Sequence, residues 1–70
     1  MEDYVGVECV LIGLRPQAVR IRVADTDHWI PRSCIEDGGT DADVLWDREG
    51  WGVEMELSVA EWKARQEGLY

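Results

Sequence analysis

Apolar and polar residues alternate over the first half of the chain in a pattern typical of β-strands. Val5 to Leu14 is a mostly apolar, β-branched run, which predicts a central strand. From Ala18 to Asp25 every second residue is apolar, which predicts a half-buried antiparallel strand. His28 to Pro31 predicts a short third strand that ends or lies at a sheet edge, because Pro31 has no N–H to donate.

The second half begins with a polar segment, Glu36 to Asp43, which predicts a loop. Val44–Trp46 and Trp51–Leu57 then predict a hairpin around the turn Asp47–Gly50. In this hairpin Trp46 would pair with Trp51 across the strands. One face of the second arm would carry the apolar side chains Trp51, Val53, Met55 and Leu57, and the other face Gly52, Glu54 and Glu56.

The last element is predicted to be a helix. Ser58-Val59-Ala60-Glu61 matches a capping box, which predicts a helix start at Ser58 with Val59 and Trp62 on one side. Gly68 is a good C-terminal stop, and Leu69 would fold back onto the last turn. The predicted fold class is α+β: a small antiparallel sheet of four or five strands with one C-terminal helix packed on one side, in a single domain spanning residues 1–70.

The charge of the chain narrows the choice of partner. Fifteen acidic residues oppose seven basic ones, for a net charge of −8. Affinity for nucleic acid and for anionic membrane comes largely from lysine and arginine, so neither is expected as a direct ligand. A basic protein surface is the natural complement.

The chain is expected to be cytoplasmic. Met1-Glu2-Asp3 is acidic, whereas a secretion signal starts with basic residues and continues with an apolar run. The longest apolar stretch, Cys9 to Leu14, is far too short to cross a membrane. Two cysteines without an export signal predict reduced thiols, with a Cys9–Cys34 disulfide as the alternative.

Most of the negative charge lies in one segment of the sequence. Residues 36–56 hold eight acids against the single base Arg48, for a net −7, and the remainder of the chain is left with −1. The eight acids are Glu36, Asp37, Asp41, Asp43, Asp47, Glu49, Glu54 and Glu56. We expect them to form one anionic, partner-binding face, with Glu36 and Asp37 at its margin and Trp46 and Trp51 as aromatic anchors. The alternative is that the acids keep the protein soluble and that both tryptophans belong to the core.

Candidate catalytic and metal-binding residues are few. A nucleophile, a base and an orienting group could be drawn from Cys34, His28 and Asp25 or Asp27, but the spacing of these residues does not support a catalytic role. Cys9, Cys34 and His28 are one ligand short of a closed zinc site.

Two loop motifs also lack essential residues. Asp41-Ala42-Asp43 begins like a calcium loop, but Leu45 and Trp46 stand where an oxygen ligand and a glycine belong. Gly38-Gly39 has no following lysine to bind phosphate. We therefore expect no cofactor, no metal, no catalytic residues and no enzymatic activity.

Two segments resemble small proteins of bacteriophages and other mobile elements. His28–Ile35 is similar to their W-I-P-(K/R)-S-x-I segment, and Ala60–Leu69 to their E-W-x-A-x-x-x-G-L tail. Together with the small size and the acidic segment, the chain resembles anti-CRISPR proteins, among them inhibitors of type I systems. That resemblance implies direct binding to an interference complex, with carboxylates presented to the lysines and arginines that contact target DNA.

The sequence thus leads to one functional hypothesis and one alternative. The hypothesis is an acidic, DNA-mimic-like inhibitor, monomeric or weakly dimeric, that occupies the basic nucleic-acid-binding surface of a partner such as a CRISPR interference subunit. The alternative is a phage accessory or structural protein whose acidic surface is merely solubilising and which self-associates through exposed tryptophans.

Overall fold

Four antiparallel strands form the sheet on which the rest of the chain packs. A computed structural model describes residues 3–70, and Met1 and Glu2 lie outside the described residues. Within that range the strands are β1 (Tyr4–Leu14), β2 (Ala18–Val23), β3 (Thr26–Pro31) and β4 (Val53–Ala60), and their spatial order is β3-β2-β1-β4. The helices of the same range are α1 (Thr40–Glu49) and α2 (Glu61–Gln66). The predicted α+β class with an antiparallel sheet is confirmed.

The three N-terminal strands are present as predicted, but β2 ends at Val23 rather than Asp25 and β3 begins at Thr26 rather than His28. β1 is the long central strand and pairs with both β2 and β4. A two-residue turn joins β2 to β3, with Ala24 at φ 50° and Asp25 at φ 66°. Positive φ at both turn residues is the geometry that matches the twist of a tight hairpin.

One face of the sheet carries the core. The buried side chains of this face alternate along the strands and are Val7, Cys9, Leu11, Val19, Ile21, Ile30, Leu57 and Val59. Ala42 of α1 and Ala64 of α2 are fully buried against this cluster. Both helices therefore contribute to the core side of the sheet. No helix within residues 3–70 is long and apolar enough to span a membrane.

The predicted loop and hairpin over residues 36–57 are partly wrong. A short 3₁₀ segment, Glu36–Gly39, leads directly into α1, so the predicted first arm of the hairpin is helical. Ala42, Leu45 and Trp46 recur at the helical spacing i, i+3, i+4 and face the core. Trp51 stands in the turn before β4, 66% exposed, and does not pair with Trp46 across strands.

The predicted start of the C-terminal helix is also wrong. Ser58 to Ala60 belong to β4, whose ladder with β1 extends as far as the pair Tyr4–Ala60. α2 begins at Glu61 without a side-chain cap. A capping interaction contributes only about 1 kcal/mol, less than the continued pairing and burial of a strand end. Val59 is consequently buried in the sheet, whereas Trp62 of α2 is 55% exposed.

The predicted end of that helix is confirmed. Gly68 adopts φ 75°, the left-handed conformation that terminates helices. The Leu69 N–H donates to the Ala64 carbonyl at 2.8 Å, and the Gly68 N–H donates to the Arg65 carbonyl at 3.1 Å. These two bonds form a Schellman motif, which returns Leu69 to the core.

Both cysteines are free thiols in the core. Burial raises the pKa of Cys9 to about 11 because the low-dielectric interior disfavours the thiolate. The thiol of Cys9 is therefore a structural, unreactive group.

A polar contact ties the end of α2 to the sheet. His28, on the core side of β3 with its side chain 11% exposed, hydrogen-bonds through Nδ1 to Glu67 Oε1 at 2.9 Å. Lys63 Nζ lies 3.2 Å from the other oxygen of Glu67. The hydrogen bond from His28, followed by that from Lys63, holds the pKa of Glu67 below its ordinary value of 4.5.

This contact predicts an acid-dependent loss of stability. A depressed carboxyl pKa stabilises the fold above the unfolded-state value and ceases to do so as pH falls through the folded-state value. Glu67→Gln should therefore be less stable than the native chain near neutral pH, and the difference should narrow below the ordinary pKa of 4.5. Urea unfolding at a series of acidic pH values measures this difference in the free energy of unfolding.

Glu61→Gln is the matched control on the same helix, since Glu61 makes only a longer, more exposed ion pair with Arg65 at 3.6 Å. It should follow the native pH profile. A Glu67→Gln deficit that stays constant throughout the acid range would contradict the role of this contact.

Candidate protein-binding face

The sheet face opposite the core is open and charged. Cross-strand partners in an antiparallel ladder point to the same side, so the register defines which side chains share this face. From β3 to β4 they include Asp27, Trp29, Arg20, Arg22, Val10, Glu8, Glu54 and Glu56. We call this surface the open face.

Three carboxylates, Glu8, Glu54 and Glu56, occupy the β1–β4 half of the open face, and we call them the carboxylate cluster. Glu8 lies directly opposite Glu56 in the ladder, and Glu54 follows two residues away on β4. Directly opposed side chains have Cβ atoms about 5 Å apart, and i, i+2 neighbours are about 6.6 Å apart. All three residues are exposed, and none of them forms an ion pair with any residue in the range 3–70.

Gly6 makes room for one of these carboxylates. A methyl group built onto Gly6 would lie only 2.7 Å from the carboxyl carbon of Glu56. The carboxylate of Glu56 therefore extends over the backbone of Gly6, which is diagonal to Glu56 in the ladder. It thus lies away from Glu8, the residue directly opposite Glu56. This position gives the two like charges space without removing them from the same face.

The opposite half of the open face is basic and aromatic. Arg20 Nη2 and Arg22 Nε donate to the two oxygens of Asp27 at 2.7 and 2.8 Å. The hydrogen bond with Arg22 is the main cause that lowers the pKa of Asp27, and it raises that of Arg22. Trp29, 44% exposed, lies beneath the guanidinium groups of Arg15 and Arg20 at 5.8 and 5.4 Å from its ring centre.

The two halves meet at a shallow depression of about 310 Å³. Val10 lies in its lining, between Arg22 on the β2 side and Glu54 on the β4 side. The arginines bind Asp27 on β3, and the carboxylate cluster, on the other side of Val10, has no ion-pair partner among residues 3–70. The open face is therefore bipolar.

The predicted single anionic face is wrong, because the eight acids divide between two sides of the sheet. Glu54 and Glu56 lie on the open face. The other six belong to α1 and the segment before it, on the core side, and are Glu36, Asp37, Asp41, Asp43, Asp47 and Glu49. They separate because residues 40–49 form a helix that packs on the apolar face, whereas a hairpin would have kept them beside β4.

Within the helical set, one acid is neutralised. Arg32 binds both oxygens of Asp43 at 3.0 and 2.9 Å, and it also donates to the carbonyls of Arg15 and Gly38. Asp41, Asp47 and Glu49 remain exposed on the outer surface of α1. This surface is a second, separate anionic region.

The aromatic anchors are placed differently from the prediction. Trp46 packs against the core, in agreement with its alternative interpretation as a core residue. Trp51 is exposed but lies in a turn. Sequence reasoning missed Glu8, whose only signal is its outward position in the alternation of β1, and also missed the aromatic member of the basic half, Trp29.

The candidate catalytic and metal-binding residues take up other contacts. His28 binds Glu67, and Asp27 binds two arginines, so neither is joined to Cys34. Among residues 3–70, no group of three or more His, Cys, Asp or Glu side chains could hold a metal ion.

Comparison with known proteins adds no relative. No protein-family model matches the chain, and no curated protein or solved structure matches it significantly.

The opposed glutamates predict a gain in stability when one is neutralised. Like charges directly opposite each other destabilise a sheet by about 0.2–1 kcal/mol, so Glu8→Gln should raise the free energy of unfolding by that order at low salt. The gain should shrink at about 1 M salt, where the screening length falls to about 3 Å. Urea unfolding at both salt concentrations measures it.

Glu54→Gln serves as the control, since Glu54 stands opposite Val10 and has no directly opposed acid. The gain in the free energy of unfolding for Glu54→Gln should be smaller than that for Glu8→Gln. A Glu8→Gln variant that is less stable than the native chain at low salt would contradict the repulsion.

Proposed function

We propose that this protein is a binding inhibitor that uses the carboxylate cluster to occupy the basic nucleic-acid-binding surface of a partner complex. The observation that carries the proposal is the direct opposition of Glu8 and Glu56, with no cation bound to them by any residue from 3 to 70. Such an arrangement costs stability. Natural proteins retain such locally unfavourable arrangements chiefly at functional sites, so an unpaired pair of opposed glutamates points to a functional surface.

The geometry of the cluster suits a row of cations. Its carboxylates repeat at about 6.6 Å along β4, a spacing comparable to that of successive phosphates on a nucleic-acid strand. Lysine and arginine side chains that hold phosphates can hold carboxylates with the same charge-assisted hydrogen bonds. Because β1 and β4 are paired from Tyr4 to Leu11, the carboxylates are held on a rigid support before binding.

The remaining acids act at longer range in this proposal. The exposed carboxylates of α1 and the net charge of −8 would accelerate encounter with a basic surface. They lie on the other side of the sheet, so they would not enter the contact itself. The resemblance to anti-CRISPR proteins suggests the partner class, a DNA-binding subunit of a type I interference complex.

A second candidate function rests on the same division of charge. Acids on both sides of the sheet, together with exposed Trp51 and Trp62, also fit an accessory or structural protein with a merely solubilising surface. In that case only total charge would matter, and the position of each carboxylate would not.

Charge reversal at matched positions separates the two candidates. Glu54→Lys with Glu56→Lys should weaken binding to a purified type I interference complex at least about 100-fold, because two charge pairs become repulsive. Asp41→Lys with Asp47→Lys changes the net charge equally but on α1, and should weaken binding only a few-fold. Competition against a labelled DNA duplex, read by fluorescence anisotropy, measures both.

Pull-down from bacterial lysate with mass spectrometry extends the same comparison to partners of other kinds. The native chain should retain a nucleic-acid-binding protein that the Glu54/Glu56 variant loses. Equal behaviour of the two double variants in both assays, with both still folded by circular dichroism, would contradict the proposal and favour the solubilising role.

A further inference from the structure

The outer edge of β4 carries backbone groups without a strand partner. The order β3-β2-β1-β4 places β4 at one end of the sheet, with β1 as its neighbour. A single bridge between Ile35 and Val59 covers the C-terminal part of the outer edge. Among residues 3–70 no strand pairs with the stretch Val53–Leu57 on that side. An unpaired edge of this kind is a template for an added strand.

The ladder between β1 and β4 determines which backbone groups point outward. Hydrogen-bonded pairs alternate with non-hydrogen-bonded pairs in an antiparallel ladder. The Glu61 N–H donates to the Asp3 carbonyl at 2.9 Å, and this pair continues the register of the ladder. Counting by twos from Glu61, the backbone groups of the odd-numbered residues of β4 point toward β1. The N–H and C=O groups of Glu54 and Glu56 therefore point to the outer edge, and no loop or turn within residues 3–70 bonds to them.

The chain covers this part of β4 incompletely. On the core side Leu57 is 1% exposed, whereas Val53 and Met55 of the same strand are only partly buried. On the open face Glu54 and Glu56 are exposed. An added strand would therefore meet apolar side chains on one side of the sheet and two carboxylates on the other.

The two carboxylates determine which kind of strand fits. Directly opposed side chains of neighbouring strands are about 5 Å apart on the same face, so the added residues opposite Glu54 and Glu56 would lie beside these carboxylates. Lysine or arginine at both positions would form charge-assisted hydrogen bonds. A second copy of β4 does not fit, because the antiparallel register that uses all these backbone groups places Glu54 opposite Glu56 of the partner subunit.

The other edge of the sheet offers less to an added strand. β3 ends in Pro31, which has no N–H to donate. The carboxylate of Asp27 on β3 is already bound to Arg20 and Arg22. Outward backbone groups and unpaired carboxylates therefore coincide on β4.

We propose that the protein binds an extended basic segment of its partner as an added antiparallel strand along Val53–Leu57. Lysine or arginine at alternate positions would face Glu54 and Glu56, and the apolar residue between them would cover Met55. The outward N–H and C=O groups of both glutamates would bond to the added backbone. This inference rests on the proposed function, since it names the element of the partner that the carboxylates recognise.

Backbone methylation of a synthetic peptide tests the added strand. The probe is a short, end-capped peptide in which lysine alternates with valine, titrated into the native protein by calorimetry. N–H groups alternate in direction along a strand, and those of the lysines would point to β4. Methylation of the lysine N–H groups should weaken binding at least about tenfold, whereas methylation of the valine N–H groups should change Kd less than about threefold.

Hydrogen exchange gives a second measurement on the same complex. The unmodified peptide should slow exchange of the amides of Glu54 and Glu56, which face the added strand. The amide of Met55, which faces β1, is the internal control and should change little.

Two variants of one position separate backbone from charge within the protein. Glu54→Gln and Glu54→Pro lose the same charge, but only proline also loses the outward N–H, and it breaks no bond to β1. The Glu54→Pro variant should bind the peptide about tenfold more weakly than Glu54→Gln, with both folded by circular dichroism.

Equal affinities of the lysine-methylated and valine-methylated peptides would overturn the added strand, as would no binding of the unmodified peptide at about 1 mM. Either result would leave the inhibitor proposal standing, because that proposal requires only the carboxylate side chains. Failure of the inhibitor proposal is recognised separately, when reversal of Glu54 and Glu56 leaves competition with the labelled DNA duplex unchanged.

Discussion

The structure depends on the alternation of β1 and its pairing with a strand on each side. Odd-numbered residues from Val7 to Leu11 are buried under the helices, and even-numbered residues from Gly6 to Val10 face outward. Because β1 is central, this alternation fixes which side chains of β2 and β4 share each face. A slip of one residue would exchange the two sets, burying Glu8 and exposing Leu11, and is therefore strongly disfavoured.

The same constraint explains why the charges on the open face are left unbalanced. Asp27 is held opposite Arg22 and takes both arginines of β2, while Glu8 is held opposite Glu56. Arg20 and Arg22 bind Asp27 instead, and no residue from 3 to 70 forms an ion pair with the carboxylate cluster. The surface therefore retains a carboxylate cluster and a basic, aromatic half, and either can bind a complementary group from outside the chain.

The sequence was sufficient to predict the strands of the first half. The apolar, β-branched run predicted β1, strict alternation predicted β2, and the short segment ending at Pro31 predicted β3. The alternation of residues 51–57 also predicted that Glu54 and Glu56 share a face opposite the apolar side chains. It did not reveal α1, because Val44-Leu45-Trp46 is short and rich in strand-favouring residues, and the helical stripe depends on the small residue Ala42. Glu8 and Glu56 are 48 positions apart in the sequence, so their direct opposition is apparent only from the pairing of β1 with β4 in the folded structure.

Cross-strand nuclear Overhauser effects between β1 and β4 test this arrangement most directly. The register requires backbone proton contacts that connect Glu8 with Glu56 and Val10 with Glu54. Observation of these contacts would establish that the three carboxylates and Val10 share one face. Contacts displaced by one residue on either strand would turn Glu8, or Glu54 and Glu56, toward the core and would contradict the carboxylate cluster.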